Sequence, residues 1–169
     1  MLFRSGLPNR ALFADRAHQA LVKARRDRAE LAVMFVDLDL FKQINDTLGH
    51  AIGDLLLKAA AARMQDCLRG SDTVARIGGD EFVALVPEVE SEENAIAVAL
   101  KMRSALARPF RLSGSGVSVS CSIGVALFPE HGGDENQLLC NADTAMYRAK
   151  SRGRNRVELY RRGTSKQMA

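Results

Sequence analysis

The run Leu31-Ala32-Val33-Met34-Phe35-Val36, apolar at every position and ending on Asp37-Leu38-Asp39, constrains this chain more than any other feature. Alternate residues of a strand face opposite sides, so a strand with no polar side must be covered on both and belongs in the middle of a sheet. The run has strand length and falls far short of the ~20 residues that span a bilayer. The chain has 169 residues, 47% of them hydrophobic, which suits one buried core and is too little for two. Met1–Pro8 has no basic start followed by a long apolar stretch, and Cys67, Cys121 and Cys140 are odd in number and widely spaced. These features predict a single soluble domain over residues 1–169, placed in a reducing cytoplasm, without a disulfide framework or a zinc site.

The remaining elements follow in order. After the Gly6-Leu7-Pro8-Asn9 turn, Asn9 caps a helix carrying Leu12, Phe13, Ala17, Ala20 and Leu21 at helical spacing. Beyond the central strand comes a polar stretch interrupted by Gly49 and Gly53, then a helix from about Asp54 to Leu68. Thr73–Ile77 and Phe82–Val86 read as short strands joined by Gly78-Gly79-Asp80-Glu81, a β-hairpin with acids at its tip. Ser91 starts a helix toward about Ala107, and Val117, Val119, Cys121, Ile123, Val125 and Leu127 alternate with Ser118, Ser120 and Ser122 in a period-two strand. Leu138, Ala142, Met146 and Ala149 trace a last helix, and Val157–Tyr160 forms an edge strand. The order α-β-α-β-β-α-β-α-β predicts an α/β sandwich: a central mixed sheet with an antiparallel hairpin, flanked by helices.

Charge is distributed unevenly. Residues 1–30 carry seven Lys/Arg against three acids, residues 148–169 eight against one, and the middle nine against sixteen. An acidic centre between basic ends suits a site that holds metal cations on carboxylates and anionic groups on Lys and Arg. Nucleic-acid binding is the plainer reading of the positive balance, but aromatics make up 5% and Trp is absent, so stacking platforms are scarce. No nucleic-acid partner is expected.

Two groups of acids sit where rigid strands end. Asp37 and Asp39 share a face if extended geometry persists, and with the Leu38 carbonyl they form a set of hard oxygen donors of the kind Mg²⁺ takes beside phosphate and water. If the hairpin pairs beside the first strand, Asp80 approaches Asp37, and two such carboxylates repel unless a cation neutralises them. On spacing alone a strand followed by two acids is more often a turn with solvated or helix-capping carboxylates, and a Gly-rich turn with charged residues facing water is common. His18, His50 and His131 are too dispersed for a metal cluster or a nucleophilic triad.

Gly78-Gly79-Asp80-Glu81-Phe82 resembles the signature of the GGDEF family, diguanylate cyclases that join two GTP molecules into cyclic di-GMP. Gly6–Arg10, Asp37–Asp46, Gly49-His50, Gly53-Asp54, Ser122-Ile123-Gly124 and Ala149–Asn155 resemble further blocks of that family in the right order, covering nearly the whole chain. The resemblance implies a fold like the nucleotide-cyclase core and the polymerase palm. It implies Mg²⁺, with Mn²⁺ as a substitute, held by Asp37, the Leu38 carbonyl and Asp80, with Glu81 a further ligand or the base. Asn45 and Asp54 would read guanine, while Phe41, Lys42, Lys150 and Arg154 would hold the triphosphate. An amide and a carboxylate match the acceptor and donors of the guanine edge, and cationic heads suit phosphate oxygens. For Lys150 and Arg154 a solvated basic helix end is the alternative without the resemblance.

The implied reaction is attack of one GTP's ribose 3′-hydroxyl on the α-phosphate of another, twice, with loss of pyrophosphate. Each domain of the family binds one GTP, so a two-fold homodimer is expected for catalysis. Arg69-Gly70-Ser71-Asp72 stands where the family carries an RxxD site for its product, cyclic di-GMP, although four letters alone equally describe an Arg at a helix end and an Asp before a strand. Leu2-Phe3-Arg4-Ser5 departs from the usual family opening, and the ending Ser165–Ala169 suggests an excised domain attached in its parent to a sensory or EAL phosphodiesterase domain. A catalytically silent GTP- or cyclic di-GMP-binding regulatory module is the second reading, but none of Asp37, Asp80, Glu81, Asn45 and Asp54 is lost.

Overall fold

The computed structural model describes residues 7–163; Gly6 of the first turn, Leu2–Ser5 and the tail Ser165–Ala169 lie outside the described residues. In chain order the elements are α1 (Arg10–Asp27), β1 (Glu30–Leu38), α2 (Phe41–Leu48), α3 (His50–Cys67), β2 (Thr73–Arg76), β3 (Glu81–Val89), α4 (Glu92–Ala107), β4 (Phe110–Leu112), β5 (Ser115–Val117), β6 (Cys121–Phe128), α5 (Glu135–Ser151) and β7 (Arg156–Leu159). The main sheet has the order β2-β3-β1-β6-β7, so the apolar run is its central strand. β1 is antiparallel to both β3 and β6, and β7 closes the edge parallel to β6, which makes the sheet mixed as expected.

Strand alternation divides the interior in two. Leu31, Val33 and Phe35 of β1 pack with Phe13 and Leu21 of α1 and with Leu138, Ala142 and Met146 of α5. Ala32, Met34 and Val36 point the other way, onto Leu56, Ala60 and Met64 of α3 and Ala99 and Met102 of α4. One strand thus supplies both cores, which is why no position of the run tolerates a polar side chain.

Local signals set the helix starts. Asn9 and Ser91 accept backbone N–H bonds from Leu12 and Asn94, at 3.0 and 3.1 Å, as N-caps of α1 and α4. His131 is buried, its Nδ1 accepting the Leu127 N–H at 2.9 Å, a structural role.

Two expectations are corrected. The polar stretch after β1 is a separate helix, α2, and α3 begins at His50 rather than Asp54, so Gly53 lies inside a helix. Only Phe41 of α2 is buried, too short an apolar signal to reveal it, and Gly49 at φ +91° breaks the two helices apart. The long alternating strand is also split: β5 pairs with β4 in a small separate hairpin, while β6 joins the main sheet. Its period survives the break, but residues on the two sides of Ser118–Ser120 find different partners.

Candidate active site

The site forms where β1 ends against the β2–β3 hairpin. Asp37 faces Glu81 in register, and the Leu38 N–H donates to the Asp80 carbonyl at 3.3 Å, which brings the hairpin tip beside the end of the central strand. The tip is held from behind, because the Arg76 Nε donates to the carbonyls of Gly78 and Gly79 at 3.1 and 3.0 Å. The pairing that sequence could only pose as a condition is therefore present.

Asp37 and Asp80 meet as carboxyl groups. Burial, and then hydrogen bonding and repulsion from Asp80, push the Asp37 carboxyl up to about 7, against the pull of Lys150. Asp37 Oδ1 is buried without a hydrogen-bond partner, while Oδ2 takes the Lys150 ammonium at 3.2 Å. Glu81 is raised as well, by burial first and by Asp143 and Asp80 next. A buried carboxylate oxygen without a partner, beside a second carboxylate, is a donor set that fits a hard divalent cation. Among the described residues no three His, Cys, Asp or Glu side chains converge as a metal cluster, so the fit rests on the two aspartates with backbone and substrate oxygens.

Asp39 shares that face but has a different environment. Ser120 and Ser122 donate their hydroxyls to it at 2.6 and 2.7 Å, the Asn155 backbone N–H donates at 3.0 Å, and Lys150 Nζ stands 3.5 Å away. Its side chain is 2% exposed and both its oxygens are occupied. From spacing, Asp39 is a candidate oxygen donor for a cation beside Asp37; here its oxygens are already taken. Ser120, Ser122 and Asn155 have no individual role in the sequence, the serines being visible only as the small polar side of an alternating strand.

The other candidate residues lie on α2, α3 and the turn after α5. Phe41 buries its ring at the start of α2, and the next residue, Lys42, is exposed. Asn45 lies against Gly53, with its Oδ1 buried and without a hydrogen-bond partner, and Asp54 is exposed on the next position of α3. Arg154 adopts a left-handed φ of 63° just past α5, its N–H donating to the Ala149 carbonyl at 2.9 Å. With Asp39, Leu40 and Asn155 it lines a groove of about 840 Å³ running between α2 and residues 116–120.

Arg69 and Asp72 lie apart from this groove, in a cleft of about 250 Å³ also lined by Arg16 and Gln65. The Asp72 side chain is buried, accepting the Arg69 backbone N–H through Oδ2 at 2.9 Å, with Arg69 Nε 3.9 Å from the same oxygen, and leaving Oδ1 without a hydrogen-bond partner. The turn that links the two residues is therefore real, and one carboxylate oxygen stays uncommitted.

The diguanylate cyclase, GGDEF domain family matches residues 4–156. The chain is 47% identical over 149 residues to the bifunctional diguanylate cyclase/cyclic di-GMP phosphodiesterase MucR of Pseudomonas aeruginosa, covering 88% of this chain and 22% of that protein. It is 48% identical over 151 residues to diguanylate cyclase TpbB of the same organism, covering 89% of this chain and 35% of that one. The crystal structure of the GGDEF domain of TpbB superposes with a TM-score of 0.91 at 47% identity, over 93% of this chain and 98% of that one. The chain thus spans about a fifth to a third of the length of these curated relatives while matching an isolated GGDEF domain almost end to end. It belongs to the GGDEF domain family of diguanylate cyclases.

Proposed function

We propose that residues 1–169 are one catalytic domain, a competent diguanylate cyclase that condenses two GTP into cyclic di-GMP and pyrophosphate. The observation that carries this reading is the meeting of Asp37 and Asp80 with one buried carboxylate oxygen left without a partner. Degenerate binding modules have no need to keep two mutually repelling acids in one partly buried place.

In this reading Asp37, Asp80 and the Leu38 carbonyl hold Mg²⁺ or Mn²⁺, with Glu81 as a further ligand. When bound, such a cation neutralises phosphate charge and lowers the pKa of the attacking hydroxyl. Where Glu81 acts as the base and not as a ligand, its carboxyl, raised by burial, accepts the proton of the ribose 3′-hydroxyl. Asn45 and Asp54 pair with the acceptor and donors of guanine, and a site built for that edge rejects adenine by leaving its own polar groups unpaired. The first amides of α2, at Phe41 and Lys42, have no carbonyl one turn before them and suit phosphate oxygens. Lys150 and Arg154 bind the triphosphate from the opposite side.

Each chain holds one GTP, so the reacting 3′-hydroxyl and α-phosphate come from two copies related by a two-fold axis. Arg69 and Asp72 bind the product, the guanidinium on phosphate or the guanine O6/N7 edge and the free Asp72 oxygen on the guanine N–H groups. The catalytic domain works on GTP in the cytoplasm, joined to a sensory or phosphodiesterase domain; the described residues hold no helix long and apolar enough to cross a membrane. The pairing of cyclase and phosphodiesterase in MucR supports such an attachment.

The test is GTP turnover with Mg²⁺ and chromatography of products, on the chain alone and on a forced dimer, each beside Asp80→Ala. Cyclic di-GMP formed by the dimer and abolished by Asp80→Ala supports the reading. Tight GTP binding without product in the forced dimer replaces it with the regulatory module.

A further inference from the structure

Asp37 and Asp39 are one residue apart, yet the fold gives them opposite circumstances. Asp37 keeps a buried oxygen without a partner, whereas Asp39 accepts the Ser120 and Ser122 hydroxyls and the Asn155 N–H and faces the Lys150 ammonium. A carboxylate so occupied has little left to offer a cation without first losing bonds inside the protein. Its partners also belong to separate parts of the chain: the break before β6, β6 itself, the end of α5 and the loop beyond it.

That loop is gripped from a second side. Arg103 of α4 donates through one guanidinium nitrogen to both the backbone carbonyl and the Oδ1 of Asn155, at 3.3 and 3.1 Å. Asn155 is itself left-handed, at φ 49°, directly after Arg154 at φ 63°. Two consecutive non-glycine residues in that region are held there by surrounding contacts: at Arg154 the Ala149 carbonyl on its N–H and Arg156 Nε on its carbonyl, and at Asn155 Asp39 on the N–H and Arg103 on the carbonyl. Arg154 is the residue these anchors aim, while Asp39 also fixes the Lys150 ammonium that Asp37 shares.

We propose that Asp39 is a positioning residue and not a metal ligand: through Asn155 and Lys150 it sets how the end of α5 and the Arg154 turn present their cations to the substrate's phosphates. The inference rests on the assignment of Lys150 and Arg154 to the triphosphate. It separates the two aspartates of the Asp-Leu-Asp run by function, Asp37 acting on the cation and Asp39 on the phosphate-binding side chains.

Binding of inorganic triphosphate and of GTP, measured by calorimetry in the presence of Mg²⁺, tests it without requiring turnover. Asp39→Asn keeps the size of the side chain but cannot accept all three hydrogen bonds, and should weaken both ligands by about tenfold, as outer partners of a binding group do. The Mg²⁺ concentration that half-saturates binding should stay within about twofold, whereas Asp37→Asn raises it. Asp39→Asn added to Lys150→Ala should cost less than the sum of the two single effects, because one acts partly through the other. Arg103→Gln, remote from the phosphates and loosening Asn155 from the far side, should shift binding in the same direction with Asp39 intact. Amide hydrogen exchange at Asn155 should accelerate in both variants.

Unchanged triphosphate affinity in Asp39→Asn, with Asn155 exchange accelerated, overturns the positioning role. A raised Mg²⁺ requirement matching that of Asp37→Asn overturns it in favour of direct ligation. If the unaltered chain binds neither GTP nor triphosphate, the cyclase reading fails, and the inference fails with it.

Discussion

A Cβ placed on Gly53 would stand 1.8 Å from Asn45 Oδ1 and 3.3 Å from the tip of the Phe41 ring. The carboxamide of α2 therefore occupies the space that a side chain on α3 would take, and the two helices meet through a glycine. This seats the Asn45 amide, proposed above to read guanine, against backbone, where its orientation is limited by packing and not by its own rotamers.

Gly53→Ala adds one methyl to a helix interior, a change that by intrinsic propensity favours the helix by roughly 1 kcal/mol. The clash instead drives Asn45 out of place. Circular dichroism should show the helices retained, and GTP affinity should fall by roughly a hundredfold, the cost of about 1 Å of misplacement in a binding constellation. Discrimination against ATP should narrow. Unaltered affinity and selectivity would show that Asn45 does not read the base.

The Asp37 carboxyl, raised to about 7, makes stability depend on pH in a defined direction. Between about pH 4 and 7 the folded chain holds a proton that the unfolded chain has released, so stability falls as pH rises through that window. With chelator present, the wild-type chain should lose on the order of 2 kcal/mol between pH 5 and 8, and Asp80→Asn should lose less, since that variant removes the neighbouring carboxylate but leaves Asp37 as buried as before. Mg²⁺ should restore the loss at pH 8 in the wild type only, and should have little effect at pH 5, where the proton occupies its place. Denaturant midpoints at the two pH values measure this; parallel profiles for the two proteins would contradict it.

Gly124 of β6 lies under α5 so closely that a Cβ there would approach the Ala142 carbonyl oxygen to 2.0 Å and the Met146 nitrogen to 2.2 Å. Backbone atoms of a packed helix cannot yield as a side-chain tip can. Gly124→Ala should lower stability by about 3 kcal/mol, seen as a lower urea midpoint with an unchanged slope. Because α5 carries Lys150, GTP binding should weaken in the fraction that remains folded. An unfolding free energy within about 0.5 kcal/mol of wild type, roughly the scatter of surface substitutions, would mean that α5 shifts freely.

Much of this architecture was legible because β1 buries both faces and says so at every position. The hairpin could be read for a similar reason, with two apolar runs flanking glycines and acids. α2 could not, since it buries Phe41 alone and its polar composition matches a loop. The split between β5 and β6 was equally hidden, because side-chain alternation continues across it while the hydrogen-bond partners change.

By itself the sequence determined the α/β class, the central strand, the caps of α1 and α4 and the family blocks, all of which depend on residues close together in the chain. Residue type and spacing did not decide which carboxylate of Asp37-Leu38-Asp39 remains available; the tertiary structure gives the physical reason. Asp39 is saturated by Ser120, Ser122 and Asn155, which lie 81, 83 and 116 positions away, while Asp37 meets the hairpin tip and keeps a buried oxygen without a partner. By residue type and spacing the two aspartates are equivalent acids at the end of one strand, told apart in the sequence only by the family resemblance; hydrogen bonding to distant segments, set only when the sheet and α5 close around them, makes one a fixed part of the scaffold and leaves the other an oxygen without a partner.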